Sequence, residues 1–177
     1  MMVGKLLVAH PSILGDPSFS RSVILLAQHN NNSAIGFIIN EPTDYKLNDL
    51  LPELNINIPV FFGGPVETDS LFYVHQFKNI TNAKKIRNGV FWGGDLDEII
   101  SHLKNNIDQF LKIKFLLGYS GWSSEQLKKE CGNKNWINIK NNYDVFQIEN
   151  GLWEKIIMEI GGESSIYASA PKNPSLN

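Results

Sequence analysis

The chain is 177 residues long, 42% hydrophobic and 19% charged, with a formal net charge of −2 at pH 7. That length is about one domain's worth and the balance of residues is enough to build a core, which excludes a disordered chain, while the near-neutral charge supplies no global field toward nucleic acid or anionic lipid. One cysteine, Cys131, excludes an internal disulfide framework and any multi-cysteine zinc or iron–sulfur centre.

The first apolar run, Leu6-Leu7-Val8-Ala9, is too short for the core of a signal peptide. The runs at 23–27 and 35–39 fall far below the ~20 residues of a membrane helix, so a cytoplasmic protein without a membrane span is expected. Residues 22–29 and 34–40 are dense in β-branched and apolar side chains and flank Asn30-Asn31-Asn32-Ser33, which predicts a hairpin covered on both faces. Leu47, Leu50, Leu51 and Leu54 have helical spacing, but Pro52 limits them to short turns. A short strand at 60–62 runs into Gly63-Gly64-Pro65, and further short strands are expected at 71–74 and 90–92.

Leu96, Ile99, Ile100, Leu103 and Ile107 form the stripe of an amphipathic helix over 96–106, with Asp95 and Glu98 reading as a capping box. A strand at 113–117 then enters a glycine-bearing loop, Gly118-Tyr119-Ser120-Gly121-Trp122. A helix capped by Ser123, with Gln126 three residues on, comes next. A final strand pair is expected at 136–139 and 145–148. Leu152, Ile156, Ile157 and Ile160 give a C-terminal helix closed by Gly161-Gly162. Strands that begin as a hairpin, with helices interspersed irregularly, argue for α+β with a mixed, strongly bent sheet. Residues 1–168 read as a single domain, and the polar, proline-punctuated 169–177 as a fraying tail.

Few residues carry chemistry on their own. Ser120 stands between a strand and a helix, as a nucleophile elbow requires, but Trp122 occupies the position where Gly-x-Ser-x-Gly needs glycine. Backbone N–H groups of the Gly118 loop could hold an anion, yet no phosphate-binding fingerprint is present, and a tight turn that buries Tyr119 and Trp122 fits better. His10, His29, His75 and His102 are dispersed without metal-ligand spacing, and Cys131 sits at a helix end where a thiolate is not favoured. Arg21 precedes a buried-type strand. It is expected to pin the loop by pairing with Asp16, the alternative being a ligand carboxylate or phosphate. Basic residues, Lys84-Lys85-x-Arg87, Lys112-x-Lys114 and Lys128-Lys129, are scattered and read as solvated faces, with no strong nucleic-acid signal.

Taken in order, Leu7-Val8-Ala9-x-Pro11, Asp16-Pro17-x-Phe19-x-Arg21-Ser22-Val23, His29, Gly36-Phe37-Ile38-Ile39-Asn40-x-Pro42, Leu50-Leu51, Phe62-Gly63-Gly64-Pro65-Val66, His75, Gly118-Tyr119-Ser120-Gly121-Trp122 and Gln126-Leu127 resemble the AlgH/YqgE family of bacterial proteins. The resemblance implies a strongly curved, mixed or antiparallel sheet forming a partly open barrel, with helices packed around it. It also implies a regulatory protein, the family being named for a proposed role in transcription of alginate synthesis genes.

Departures are informative. Ala27 stands where many relatives carry cysteine, Glu125 precedes the Gln126-Leu127 pair where glycine is frequent, and His10 occupies a position expected to be threonine or methionine. The binding or family-motif candidates are Asp16, Phe19, Arg21, Asn40, Pro42, Gly63, Gly64, Pro65, Gly118, Tyr119, Gly121, Trp122 and Gln126. No catalytic residue, metal ligand or cofactor is assigned. The expected function is regulation through an unidentified protein partner. The alternative is a binder or slow hydrolase of a small anion, using a pocket between Arg21, Asn40 and the Gly118 loop.

Overall fold

Residues 2–54, 56–87, 89–105, 107–147 and 150–170 are described by the computed structural model. The apolar first third builds the antiparallel start of the sheet: β1 (Leu6–Ala9), β2 (Val23–His29) and β3 (Ser33–Ile38) pair in turn. Asn30 shapes the hairpin turn, its Oδ1 accepting from the N–H groups of Asn32 (2.9 Å) and Ser33 (3.0 Å). Residues 23–27 are all buried, as an uninterrupted apolar run demands. A register shift between Leu26 and Gln28 marks a bulge, the kind of irregularity that bends a strand.

The chain continues through β4 (Pro42–Lys46), α1 (Leu47–Leu50), β5 (Pro59–Phe62), β6 (Val66–His75), β7 (Lys84–Arg87) and β8 (Val90–Trp92). Then come α2 (Leu96–Asn105), β9 (Ile113–Ser123), α3 (Ser124–Gly132), β10 (Trp136–Ile139) and α4 (Leu152–Ile160). Among the described strands the order is β10-β1-β2-β3-β9-β6-β8-β7, with β5 on β9 and β4 on β5. Only β5 and β9 run parallel among these pairs. The architecture is therefore α+β around a mixed, mainly antiparallel sheet that does not close into a barrel.

β9 separates two apolar clusters by simple alternation. Ile113 and Phe115 belong to a cluster with Leu47, Val60, Tyr73, Ile99 and Leu103, covered by α1 and α2. Leu116 belongs to the larger cluster, which joins β1–β3 to Trp153, Ile156 and Ile157 of α4. No described helix is long and apolar enough to cross a membrane.

Several expectations need correction. Residues 118–122 are not a loop; β9 runs through them to Ser123, which caps α3 by accepting from Gln126 N–H at 3.1 Å. Residues 145–147 form a turn rather than a strand, because Asp144 captures Phe146 N–H on its side chain (3.0 Å) and Gln147 N–H on its carbonyl (3.3 Å). The capping box at α2 is half made. Asp95 accepts from Glu98 N–H, but the Glu98 carboxylate takes the backbone and hydroxyl of Thr81 instead. The expected ends at residues 106 and 148, and most of the tail (171–177), lie outside the described residues.

His75 closes β6 in a fully buried aromatic nest, stacked on Phe91 and tilted against Phe77 and Tyr73. Its Nδ1 accepts from Phe77 N–H at 3.2 Å, so Nε2 carries the proton and donates to Gly93 O at 3.0 Å. Burial holds the imidazolium form down and lowers the pKa below the usual 6.5. Above that value both folded and unfolded chains are neutral at this residue. As pH falls through 6.5 the unfolded chain takes up a proton first, so stability declines until the lowered folded pKa is passed. Urea unfolding at pH 7.5 and 5.5 should show this loss in the parent chain and a smaller one in His75→Gln; equal losses would contradict the assignment.

Candidate functional site

Phe115 on β9 is flanked by Val60 of β5 on one side and Tyr73 of β6 on the other. The short link between β5 and β6, Gly63-Gly64-Pro65, must therefore pass over β9. It does so at Gly118. Gly63 N–H donates to Leu117 O (2.7 Å), and Gly63 O accepts from Ile38 N–H (2.9 Å) and from the buried Ser120 hydroxyl (3.3 Å). A Cβ on Gly63 would overlap Gly118 O, one on Gly64 would overlap Tyr119 backbone and Ser120 Oγ, and one on Gly118 would lie 2.8 Å from Val66 O. Gly64 (φ +150°) and Gly118 (φ +70°) also adopt backbone angles that side chains resist. Pro65 stands exposed at the exit, and Pro42 pairs with Phe61 between β4 and β5.

Next to this crossing, Asn40 ties two segments together: its Oδ1 accepts from Val23 N–H (2.7 Å) and its Nδ2 donates to Arg21 O (2.9 Å). Arg21 does not pair with Asp16. Its Nη1 donates to Glu154 Oε1 at 3.0 Å, its Nη2 to Ala170 O at 2.7 Å, and the guanidinium lies 5.2 Å from the Trp153 ring centre. Asp16 is occupied as the head of its own turn, accepting from the N–H groups of Ser18 (2.8 Å) and Phe19 (3.0 Å). Phe19 packs against Trp122 and Trp136, and both indole N–H groups donate to Glu130 Oε2 (3.0 and 2.8 Å). Gln126 completes the group by donating to Glu130 Oε1 (2.9 Å). Tyr119 packs edge-on against Phe72, while Gly121 is exposed opposite Ile35. Thus Arg21 joins Asn40, Gly63 and Gly64 join Gly118, and Phe19 joins Trp122, which shares the Glu130 carboxylate with Gln126, each through contacts within the protein.

A different region faces solvent with unspent charge. The sheet ends at β7, which pairs with β8 on one edge and with no described strand on the other. Gly4, ahead of β1, lies against the Arg87 side chain of β7 across a seam. One cavity of about 440 Å³ there is lined by Gln28, His29, Lys84, Lys85, Arg87 and Trp92. Another, of about 360 Å³, extends along Gly4, Arg87 and residues 141–146. Lys84 and Lys85 are exposed, Ile86 is buried between them and Arg87, and the Lys84 ammonium sits 4.5 Å from the Trp92 ring centre. The described residues contain no group of three or more His, Cys, Asp or Glu placed to hold a metal ion. Burial and the adjacent Glu130 raise the pKa of the Cys131 thiol.

The AlgH-like family model matches residues 6–165. The chain belongs to that family. It is 38% identical to a UPF0301 protein of Bacteroides fragilis over 98% of this chain and 90% of that one, and 33% identical to a UPF0301 protein of Cytophaga hutchinsonii over 98% of each. Its fold matches a crystal structure of a Corynebacterium diphtheriae protein (TM-score 0.76, 20% identity, 96% and 93% of the two chains). It also matches the solution structure of the AlgH protein from Pseudomonas aeruginosa (TM-score 0.73, 22% identity, 96% and 94%).

Within this AlgH-like chain the recognisable motifs fall at backbone crossings and braces. The basic edge escaped the sequence reading because Lys84, Lys85 and Arg87 look like any solvated run. The available signal was Ile86 among cations, the mark of a strand with one buried position. Arg21 and Glu154 are 11% and 23% exposed at the side chain, so their pair is largely desolvated. Arg21→Ala should cost about 2 kcal/mol in urea unfolding, less than a fully buried pair because Glu154 keeps some water. A loss under about 0.5 kcal/mol, the range of ordinary surface substitutions, would contradict the brace.

Proposed function

We propose that this chain is a regulatory protein that works by holding a protein partner, and that the partner contributes an extended, acidic segment to the open edge of β7. The carrying observation is the outer edge of β7, which pairs with no described strand, with Lys84, Lys85 and Arg87 on it and a cavity of about 440 Å³ between it and the end of β2. A free strand edge offers unpaired N–H and C=O groups to any extended chain, and lysines on it repel or disfavour most comers. An acidic strand converts that guard into attraction, so the edge discriminates among partners by charge. Ile86 and Trp92 supply apolar surface beneath. Any effect on transcription is carried by the partner, since the basic residues are too few and too local to follow a nucleic-acid backbone. Residues 1–168 act as one unit in this reading.

The test is a titration, followed by backbone amide shifts, with synthetic alternating peptides, one of Glu and Val and one of Lys and Val. The Glu peptide should shift β7 and β8 amides, weaken with added salt, and lose at least tenfold in affinity in the Lys84→Glu/Lys85→Glu variant. Equal binding of both peptides, or shifts confined to other strands, would overturn the proposal.

A further inference from the structure

Lys114 lies on β9 and is 4% exposed. Its Nζ donates to Ile39 O at 2.8 Å and Gln147 O at 3.2 Å, and it sits 4.0 Å from the centre of the Phe61 ring. An ammonium has three N–H donors, so one has no hydrogen-bond acceptor among the described residues. Nor does a carboxylate form an ion pair with it among them. Asp144, whose Oδ1 accepts from Phe146 N–H, is the acidic group that acts on it electrostatically, at a distance too long for an ion pair. A buried cation here has a carboxylate nearby but none in direct contact, and one N–H left over.

The same lysine lines a cavity of about 390 Å³ whose other walls include Ile58, Pro59, Phe61, Phe110 and Phe146. Phe110 and Leu111, also lining it, are 42% and 65% exposed, two adjacent large apolar side chains left in solvent at one cavity. Asn57, Asp144 and Gln147 complete the lining, so mainly apolar walls meet a few polar groups, of which Lys114 is the cation, the general form of a small-molecule site.

We propose that this cavity binds an apolar carboxylate, with the carboxylate on Lys114 and the hydrocarbon body against Phe61, Phe110 and Phe146. One spare N–H and one positive charge suit a monoanion. A phosphate dianion would leave charged oxygens against Ile58 and Phe61 with Asp144 nearby, and no arginine fork is present to spread that charge. The acid can be free or can be the C-terminal carboxylate of a peptide ending in an apolar residue, because the recognising chemistry is the same. Burial lowers the Lys114 pKa to about 8, and a bound carboxylate would pull it back up. Binding therefore takes up a proton above that value and weakens as pH rises from 8 to 10. The site does not rest on the reading of the β7 edge, and its test is independent of that reading.

Calorimetric titration with octanoate, octanamide, and a short peptide ending in leucine, with free or amidated C-terminus, tests the proposal. Octanoate should bind at least tenfold tighter than octanamide at pH 7, and the difference should shrink at pH 10. The free-acid peptide outcompeting octanoate would identify a chain terminus as the natural source; octanoate alone binding would identify a free acid. Lys114→Met should abolish the distinction between acid and amide. Leu111→Asp, at an exposed position where folding is not at stake, should weaken octanoate at least tenfold and serves if Lys114→Met fails to fold. Equal affinities for acid and amide, no binding of either acid at millimolar concentration, or full binding to Leu111→Asp would overturn the assignment.

Discussion

Everything in this fold is arranged around one steric constraint: the chain must cross over its own central strand with no side chain between the two backbones. β9 touches β3, β5 and β6, and the last two lie on opposite edges of it. The link joining them passes over β9 where Gly63 and Gly64 meet Gly118. The crossing then becomes an adhesive joint, since Gly63 both donates to Leu117 and accepts from Ile38 and Ser120. Those bonds satisfy backbone groups that would otherwise be buried without partners.

The two clusters on the faces of β9 follow from the strand's period, and the hairpin and α4 follow from their apolar patterns. These parts were legible. Residues 22–29 and 34–40 read as a covered hairpin because both arms are dense in apolar side chains and the link between them is polar, and α2 and α4 read as helices because their stripes are regular. The glycines were legible as special but not for the right reason. In Gly118–Trp122, local chemistry signals a turn, whereas the glycines serve a close backbone approach that only the tertiary fold reveals. The same limit hid the partner of Arg21. Asp16 is adjacent in sequence, yet its oxygen is taken by its own turn, and Glu154 arrives from 133 residues away. At 145–147 the apolar residues suggested a strand, but Asp144 supplied a competing local turn.

This division bears on function. The motif residues Arg21, Asn40, Gly63, Gly64, Gly118 and Trp122 are engaged within the protein, while the groups with capacity left over, the β7 edge and Lys114, are inconspicuous in the sequence. Their surroundings share a wall: Asp144 and Phe146 line both the seam cavity beside Arg87 and the cavity at Lys114, and Lys114 holds the carbonyl of Gln147 at the end of that turn. A displacement of the 144–147 turn would therefore alter both at once.

The most direct measurement of the central constraint is the stability of Gly63→Ala beside that of Gly132→Ala, by urea unfolding followed by far-UV circular dichroism. A methyl at Gly63 meets Gly118 backbone, which cannot swing away as a flexible side chain could, whereas Gly132, near the end of α3, has open space around it. The crossing predicts that Gly63→Ala loses about 3 kcal/mol or fails to fold, while Gly132→Ala stays within about 1 kcal/mol of the parent. Equal stability of the two variants would show that the backbones do not meet there, and the account of the fold built on that meeting would be wrong.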